Sequence, residues 1–155
     1  MTASINPLIS EQLDALLHGE TNLVANMANA SALLKQTIED INWAGFYLYQ
    51  PATDDLILGP FQGNVACMHI ENNRGVCGTA LATQQVQRVA DVHQFAGHIA
   101  CDSASNAEIV IPLTTQQGKL GVLDIDSPST DRFSAEDQAV LEEFARVFIA
   151  HVDKA

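Results

Sequence analysis

Two apolar runs, residues 108–113 and 119–126, flank the turn Gln116-Gln117-Gly118 and predict an antiparallel hairpin near the end of the chain. Side chains along a strand point alternately to opposite faces, so Asp124 and Asp126 project from one side, together with Leu120 and Val122. Two acids that continue an apolar face belong at the edge of a core, where a pocket can open. Glu108 begins the partner strand and reaches toward the same mouth. If the three converge, they attract an ammonium group. Their mutual repulsion then raises at least one pKa and leaves a carboxylic acid protonated near neutral pH. The plain alternative is a strand end that frays into solvent.

The rest of the chain reads as helices around a block of strands. Leu13, Leu16 and Leu17 mark a short amphipathic turn ending near Gly19, and Leu23, Val24, Met27, Leu34 and Ile38 recur at helical spacing after Glu20. All are expected in the core of a helical N-terminus spanning about residues 8–38. Trp43, Phe46, Tyr47 and Tyr49 favour a strand over residues 41–49. Residues 51–55 form a turn, and Leu56-Ile57-Leu58-Gly59 starts a second strand. A third strand is expected over 65–70, carrying Cys67 and His69; a turn over 72–75; a short helix over 78–84; a short strand over 87–90; and a long loop over 91–106. Ser134 and Asp137 have capping-box spacing before a last helix, about residues 134–151, with Val140, Leu141, Phe144, Val147 and Phe148 on its buried face. Strands in one block (about residues 41–126) with helices at both ends predict an α+β fold with a central antiparallel sheet, one domain across residues 1–155.

Charge narrows the partners. Seven Lys and Arg stand against nineteen Asp and Glu, a formal net charge of −12, which repels phosphate backbones and anionic lipid. Nucleic-acid and membrane binding are therefore not expected, and no apolar run approaches the length that crosses a bilayer. The opening stretch from Met1 to Pro7 has no basic segment followed by an apolar block, so a cytosolic location is expected. There a structural disulfide is disfavoured, and three cysteines cannot all pair within the chain. Cys67, Cys77 and Cys101 contain no Cys-x-x-Cys spacing, so no metal site is expected.

Cys101 is the candidate reactive thiol. It sits in the long loop among Gly97, Ser103, Ser105 and Asn106, with His98 three positions before it and Asp102 beside it. Such a composition suits an exposed loop over a pocket, although most free cysteines are buried small hydrophobes. Carboxylates nearby would work against thiolate formation, and the sequence shows nothing that offsets them. Trp43 and Tyr47 share a face of their strand, with Gly45 between them leaving room for close approach; such a pair is core or the wall of a pocket for an apolar or methylthio group. His69, His93 and His98 read as hydrogen-bonded structural residues and Arg74 as a turn arginine.

Several segments together resemble the free methionine-(R)-sulfoxide reductases, enzymes built on a GAF domain. The matching stretches include Ile41-Asn42-Trp43-Ala44-Gly45-Phe46-Tyr47, Gly75-Val76-Cys77-Gly78, Gly97-His98-Ile99-Ala100-Cys101-Asp102, Glu108-Ile109-Val110 and Gly121-Val122-Leu123-Asp124-Ile125-Asp126. The resemblance implies a GAF-like domain in which Cys101 is the nucleophile, Cys67 the resolving thiol and Cys77 a pocket thiol that helps in resolution. It implies that Glu108, Asp124 and Asp126 hold the substrate ammonium, and that Trp43 and Tyr47 wall the methyl end. Free methionine sulfoxide would be reduced through a sulfenic acid and a disulfide. Thioredoxin, supplied by NADPH through thioredoxin reductase, would recycle that disulfide, with no bound cofactor and with a homodimer as an assembly known in the family. A stand-alone GAF module that binds a small ligand or registers oxidants is the rival reading.

Overall fold

The computed structural model describes residues 3–155; Met1 and Thr2, part of the stretch read for a signal, lie outside them. Helix α1 (Ile9–Leu17) buries Ile9, Leu13 and Leu17, one residue per turn. Leu16, expected beside them, falls off that stripe and is exposed. Helix α2 (Leu23–Thr37) starts where the Asn22 side chain accepts a hydrogen bond from the Ala25 amide, and it buries Met27, Ala30, Leu33 and Leu34. Val24, in its first turn, faces solvent instead of the core predicted for it.

Six strands follow: β1 (Trp43–Gln50), β2 (Asp55–Gly63), β3 (His69–Glu71), β4 (Gln87–Val89), β5 (Ala107–Thr115) and β6 (Gly118–Ser127). They form one antiparallel sheet in the order β3-β2-β1-β6-β5-β4. Helix α3 (Gly75–Thr83) sits between β3 and β4 in sequence, and α4 (Ala135–Lys154) ends the chain. The α+β class with a central antiparallel sheet is as the sequence predicts.

Alternation along the middle strands sorts side chains onto two faces. Ala44 and Phe46, Ala107, Ile109, Ile111 and Leu113, and Leu123 and Ile125 pack against α1, α2 and α4. The opposite face carries Trp43, Tyr47, Val110 and Val122, and packs against Val76, Cys77, Ala80 and Leu81 of α3. Burial of two apolar layers, at about 25 cal/mol per Å², holds the sheet between them.

Three further expectations need correction. Residues 65–68 are not a strand: the ladder with β2 runs over His69–Glu71, opposite Asp55–Ile57, with one further bond from the Leu58 amide to the Met68 carbonyl oxygen, and Val65 and Met68 project into water. Cys67 thus lies on a loop. Helix α3 begins at Gly75, not Gly78, so Cys77 is in its first turn. Its two glycines depress helix propensity, but Gly78 abuts strand β3, where a Cβ would come within 2.5 Å of the Glu71 carbonyl oxygen. Finally, Leu120 does not share the face of Val122 and Asp124. The β5–β6 register shifts between Leu113 and Thr114, which face Gly121 and Lys119, and the extra residue Leu120 packs toward the helical layer.

The start of α4 is pinned. Ser134 and Asp137 form the expected capping box. Asp137 also accepts from the Ile5 amide at 2.9 Å and from the buried Arg132 guanidinium at 3.2 Å. Arg132 in turn donates to the Glu39 carbonyl oxygen, so one ion pair joins the N-terminal segment, the end of α2's connection and α4.

Candidate functional site

The floor of the site follows from strand register. Trp43 on β1 pairs with Asp126 on β6, which pairs with Glu108 on β5; one step along, Gly45 pairs with Asp124, which pairs with Val110. Cross-strand neighbours on one face have Cβ atoms about 4.5–5.5 Å apart, so three acids and an indole meet on a patch two residues wide. Their burial shows that the strand ends do not fray: Glu108, Asp124 and Asp126 are 9%, 5% and 8% exposed. All three line one pocket together with Trp43, Tyr47, Cys77 and Cys101.

An aromatic wall closes one side. The Trp43 ring stacks on Tyr47 at 5.9 Å between centroids and on Phe61 at 5.0 Å. Phe61 crosses β1 at Gly45, where any Cβ would collide with it, so the room at this glycine admits the neighbouring strand. Sequence reading missed Phe61 because the match depends on a β1–β2 register shift beside Gly45. Both polar ends of the wall are tied to the Cys67 loop: Trp43 Nε1 donates to the Asn64 carbonyl oxygen at 3.1 Å, and the Tyr47 hydroxyl donates to that of Cys67 at 2.8 Å.

The roof is the long connection between β4 and β5, which includes a single short helical turn at Val92–Gln94. Cys101 lies on it and forms a disulfide with Cys67, their Cα atoms 5.3 Å apart, which joins roof to wall. Asn42, just before β1, positions this segment. Its amide nitrogen donates to Asp102 Oδ2 at 3.2 Å and to Ser105 Oγ at 3.1 Å, while its backbone amide donates to the Asp126 carbonyl oxygen at 2.9 Å. One residue therefore links the loop that carries Cys101 to the strand that carries the acids. Asn42 lies in a stretch that carries the family resemblance, but no local pattern gives it this role, because its partners lie about sixty residues away.

The histidines divide. His98 lines the pocket, whereas His69 faces Asp55 at 3.4 Å and His93 bonds Asn106 at 3.0 Å, both as hydrogen-bonded residues. Arg74 lines the mouth and pairs with Glu71 at 3.6 Å through an exposed guanidinium.

Electrostatics follow from enclosing these acids. Burial first, and then the charges of Asp126 and Glu108, push the Asp124 carboxyl well above the ordinary carboxylate range. Asp126 is raised too, by burial and then by Glu108. Cys77 Sγ lies 3.8 Å from Glu108 Oε2, and its thiol is pushed up by burial and by the same three acids. Tyr47 is raised for the same reasons and stays a neutral phenol. Asp124 Oδ1 and Asp126 Oδ1 are buried with no hydrogen-bond partner among the described residues. A buried carboxylate oxygen without a partner costs about 1–3 kcal/mol, so the pocket is built to receive a donor. Chemically, it offers unpartnered oxygens to a cation, carboxyls whose hold on a proton is strengthened, and a sulfur pair at one mouth.

Known proteins resemble this chain throughout its length. Residues 12–151 match the GAF domain family. The chain is 53% identical over 146 residues to the free methionine-R-sulfoxide reductase of Escherichia coli (strain K12), across 94% of this chain and 85% of that relative. The fRMsr of Staphylococcus aureus in its reduced form superposes with a TM-score of 0.93 at 45% identity, with 98% of each chain covered. A free methionine-R-sulfoxide reductase from Neisseria meningitidis, solved in complex with its substrate, has a TM-score of 0.90 at 40% identity, over 94% of this chain and 86% of that one.

Proposed function

The chain belongs to the free methionine-R-sulfoxide reductases of the GAF domain family, and we propose that it reduces free L-methionine-(R)-S-oxide to L-methionine. One observation carries the reading: Cys101 and the acids Glu108, Asp124 and Asp126 line the same pocket. The acids hold the α-ammonium, a cation that peptide-bound methionine lacks. Trp43 and Tyr47 wall the methyl end.

A sulfoxide sulfur becomes electrophilic once its oxygen is protonated, and a buried acid with a raised pKa is a suitable donor. The Cys101 sulfur then attacks. The oxygen passes to the Cys101 sulfur as its bond to the methionine sulfur breaks, methionine leaves with that electron pair as a thioether, and Cys101 becomes a sulfenic acid. The Cys67 thiol displaces that oxygen as water and forms the disulfide, an exchange that a Cα separation of 5.3 Å permits. Thioredoxin, fed by NADPH through its reductase, supplies two electrons and returns both thiols. Such recycling fits a cytosolic setting.

The test couples the protein to thioredoxin, thioredoxin reductase and NADPH. NADPH is consumed with the free R epimer and not with the S epimer or a peptide-bound sulfoxide. Consumption by all three, or by none, refutes the reading. Cys101→Ser abolishes turnover, and Cys67→Ser leaves about one turnover per chain with little recycling.

A further inference from the structure

Cys77 stands apart from the sulfur pair. It comes from the first turn of α3, is 4% exposed, and is the free cysteine that remains when Cys67 and Cys101 are joined. Its Sγ, one carboxylate oxygen of Glu108 and one of Asp124 all lie within 4.8 Å of one another, and all three residues are buried. Asp124 Oδ1 is partnerless, although it is on a side chain only 5% exposed that lines the pocket. The guanidinium that lines this pocket, Arg74, is exposed and engaged with Glu71. Three potential metal donors therefore converge with no cationic side chain between them among the described residues.

From this juxtaposition we propose that the pocket is also a zinc site, in which Cys77 Sγ, Glu108 and Asp124 bind one Zn²⁺ that excludes the substrate ammonium and so inhibits the enzyme. The inhibitory half rests on the function proposed above; the binding half does not.

The donor set selects the metal. Magnesium and calcium require six or more oxygen ligands, whereas one thiolate with two carboxylates suits a small borderline-soft ion that accepts four ligands. Zinc bonds to sulfur at about 2.3 Å and to carboxylate oxygen at about 2.0–2.2 Å, which places tetrahedral donors about 3.3–3.7 Å apart. The donors need to close by about 1 Å from the 4.8 Å limit, within the reach of side-chain rotation. The fourth position opens on the pocket. On binding, the Cys77 thiol gives its proton to solvent and the sulfur keeps the electron pair that bonds the metal, with no change in oxidation state. Burial and the neighbouring acids hold that proton on Cys77, and a divalent charge reverses the second of these effects. Sequence spacing gave no hint of such a site, because the ligands come from α3, β5 and β6 rather than from paired cysteines.

The test uses the oxidised protein, in which the Cys67–Cys101 disulfide leaves Cys77 as the thiol available to metal. Co²⁺ serves as the spectroscopic probe and Zn²⁺ as the competing ion. One ion binds per chain, with a thiolate-to-cobalt charge-transfer band in the near ultraviolet that Zn²⁺ bleaches. Cys77→Ser removes the band and weakens Zn²⁺ binding at least tenfold, and Asp124→Asn weakens it while the band is retained. Saturating Zn²⁺ raises the dissociation constant for free methionine sulfoxide at least tenfold. Absence of binding at millimolar metal, or a band that survives Cys77→Ser, overturns the zinc site. Sulfoxide affinity unmoved by saturating Zn²⁺ overturns the competition. Turnover measured in chelator reports separately on the reductase reading, which stands or falls without reference to the metal.

Discussion

At the scale of single residues, Asp124 and Asp126 give the pocket both its chemistry and its cost. Their raised pKa values mean that the fold prefers them protonated, so their contribution to stability is full below the ordinary aspartate value of about 3.9. It fades as pH rises through their higher folded values. Stability therefore declines as pH rises above the ordinary aspartate value toward their raised folded values, on account of these two groups. Asp124→Asn flattens that decline and raises the melting temperature at pH 8, while it lowers turnover or weakens sulfoxide binding. Thermal melts at pH 5 and pH 8 check this, and equal pH slopes in the two proteins would refute it. The acids were legible in the sequence because strand alternation places them on one face. The roles of Asn42 and Phe61 were not, since each acts through a partner chosen by tertiary register rather than by local pattern.

Among the elements, those with strong periodicity were read nearly to their ends. Helix α4 shows its cap at Ser134 and Asp137 and its stripe at Leu141, Phe144 and Phe148. Strands β1, β5 and β6 announce themselves through β-branched and aromatic content. Helix α3 was misplaced by three residues because Gly75 and Gly78 argue against helix locally, and packing against β3 and the sheet overrides them. Residues 65–68 read as strand from their apolar content, but the ladder with β2 stops at His69, with the Met68 carbonyl oxygen alone bonded beyond it. The cap of α4 carries a prediction of its own. Asp137→Ala leaves the Arg132 guanidinium, whose side chain is 2% exposed, without its carboxylate. Breaking a buried pair in this way costs about 3–5 kcal/mol. Urea unfolding measures it, and a loss below about 1 kcal/mol would mean that the Glu39 carbonyl oxygen alone satisfies Arg132.

At the scale of the whole molecule, one covalent cross-link ties two loops together. The Cys67–Cys101 link closes a loop with a sequence separation of 34. In the chain-entropy account, a loop of that size restricts the unfolded ensemble by about 3–4 kcal/mol. For a chain of this length the corresponding shift is on the order of 10 °C, so added reductant should lower the melting temperature by that order and Cys101→Ser should match the reduced protein. Scanning calorimetry with and without reductant tests this; coincident melts would show that other contacts already restrain both loops. Overall charge was legible directly, and so was the sandwich of helices around a sheet. That roof and wall are joined at Cys67 was available only through family resemblance, because no local signal relates two loops 34 residues apart.

One consequence of the shared strands concerns what evolution is free to alter. The same β5 and β6 that present Glu108, Asp124 and Asp126 on one side supply Ile109, Leu123 and Ile125 to the helices on the other. Sliding the hairpin by one position would trade grease for carboxyl groups everywhere at once. On the proposed function, ammonium binding is thus tied to foldability, whereas Cys67 and Cys101 ride on connecting segments outside the sheet. On that reading, electron delivery can be retuned by editing loops, whereas recognition cannot change without rebuilding the barrier between oil and water on which the chain depends.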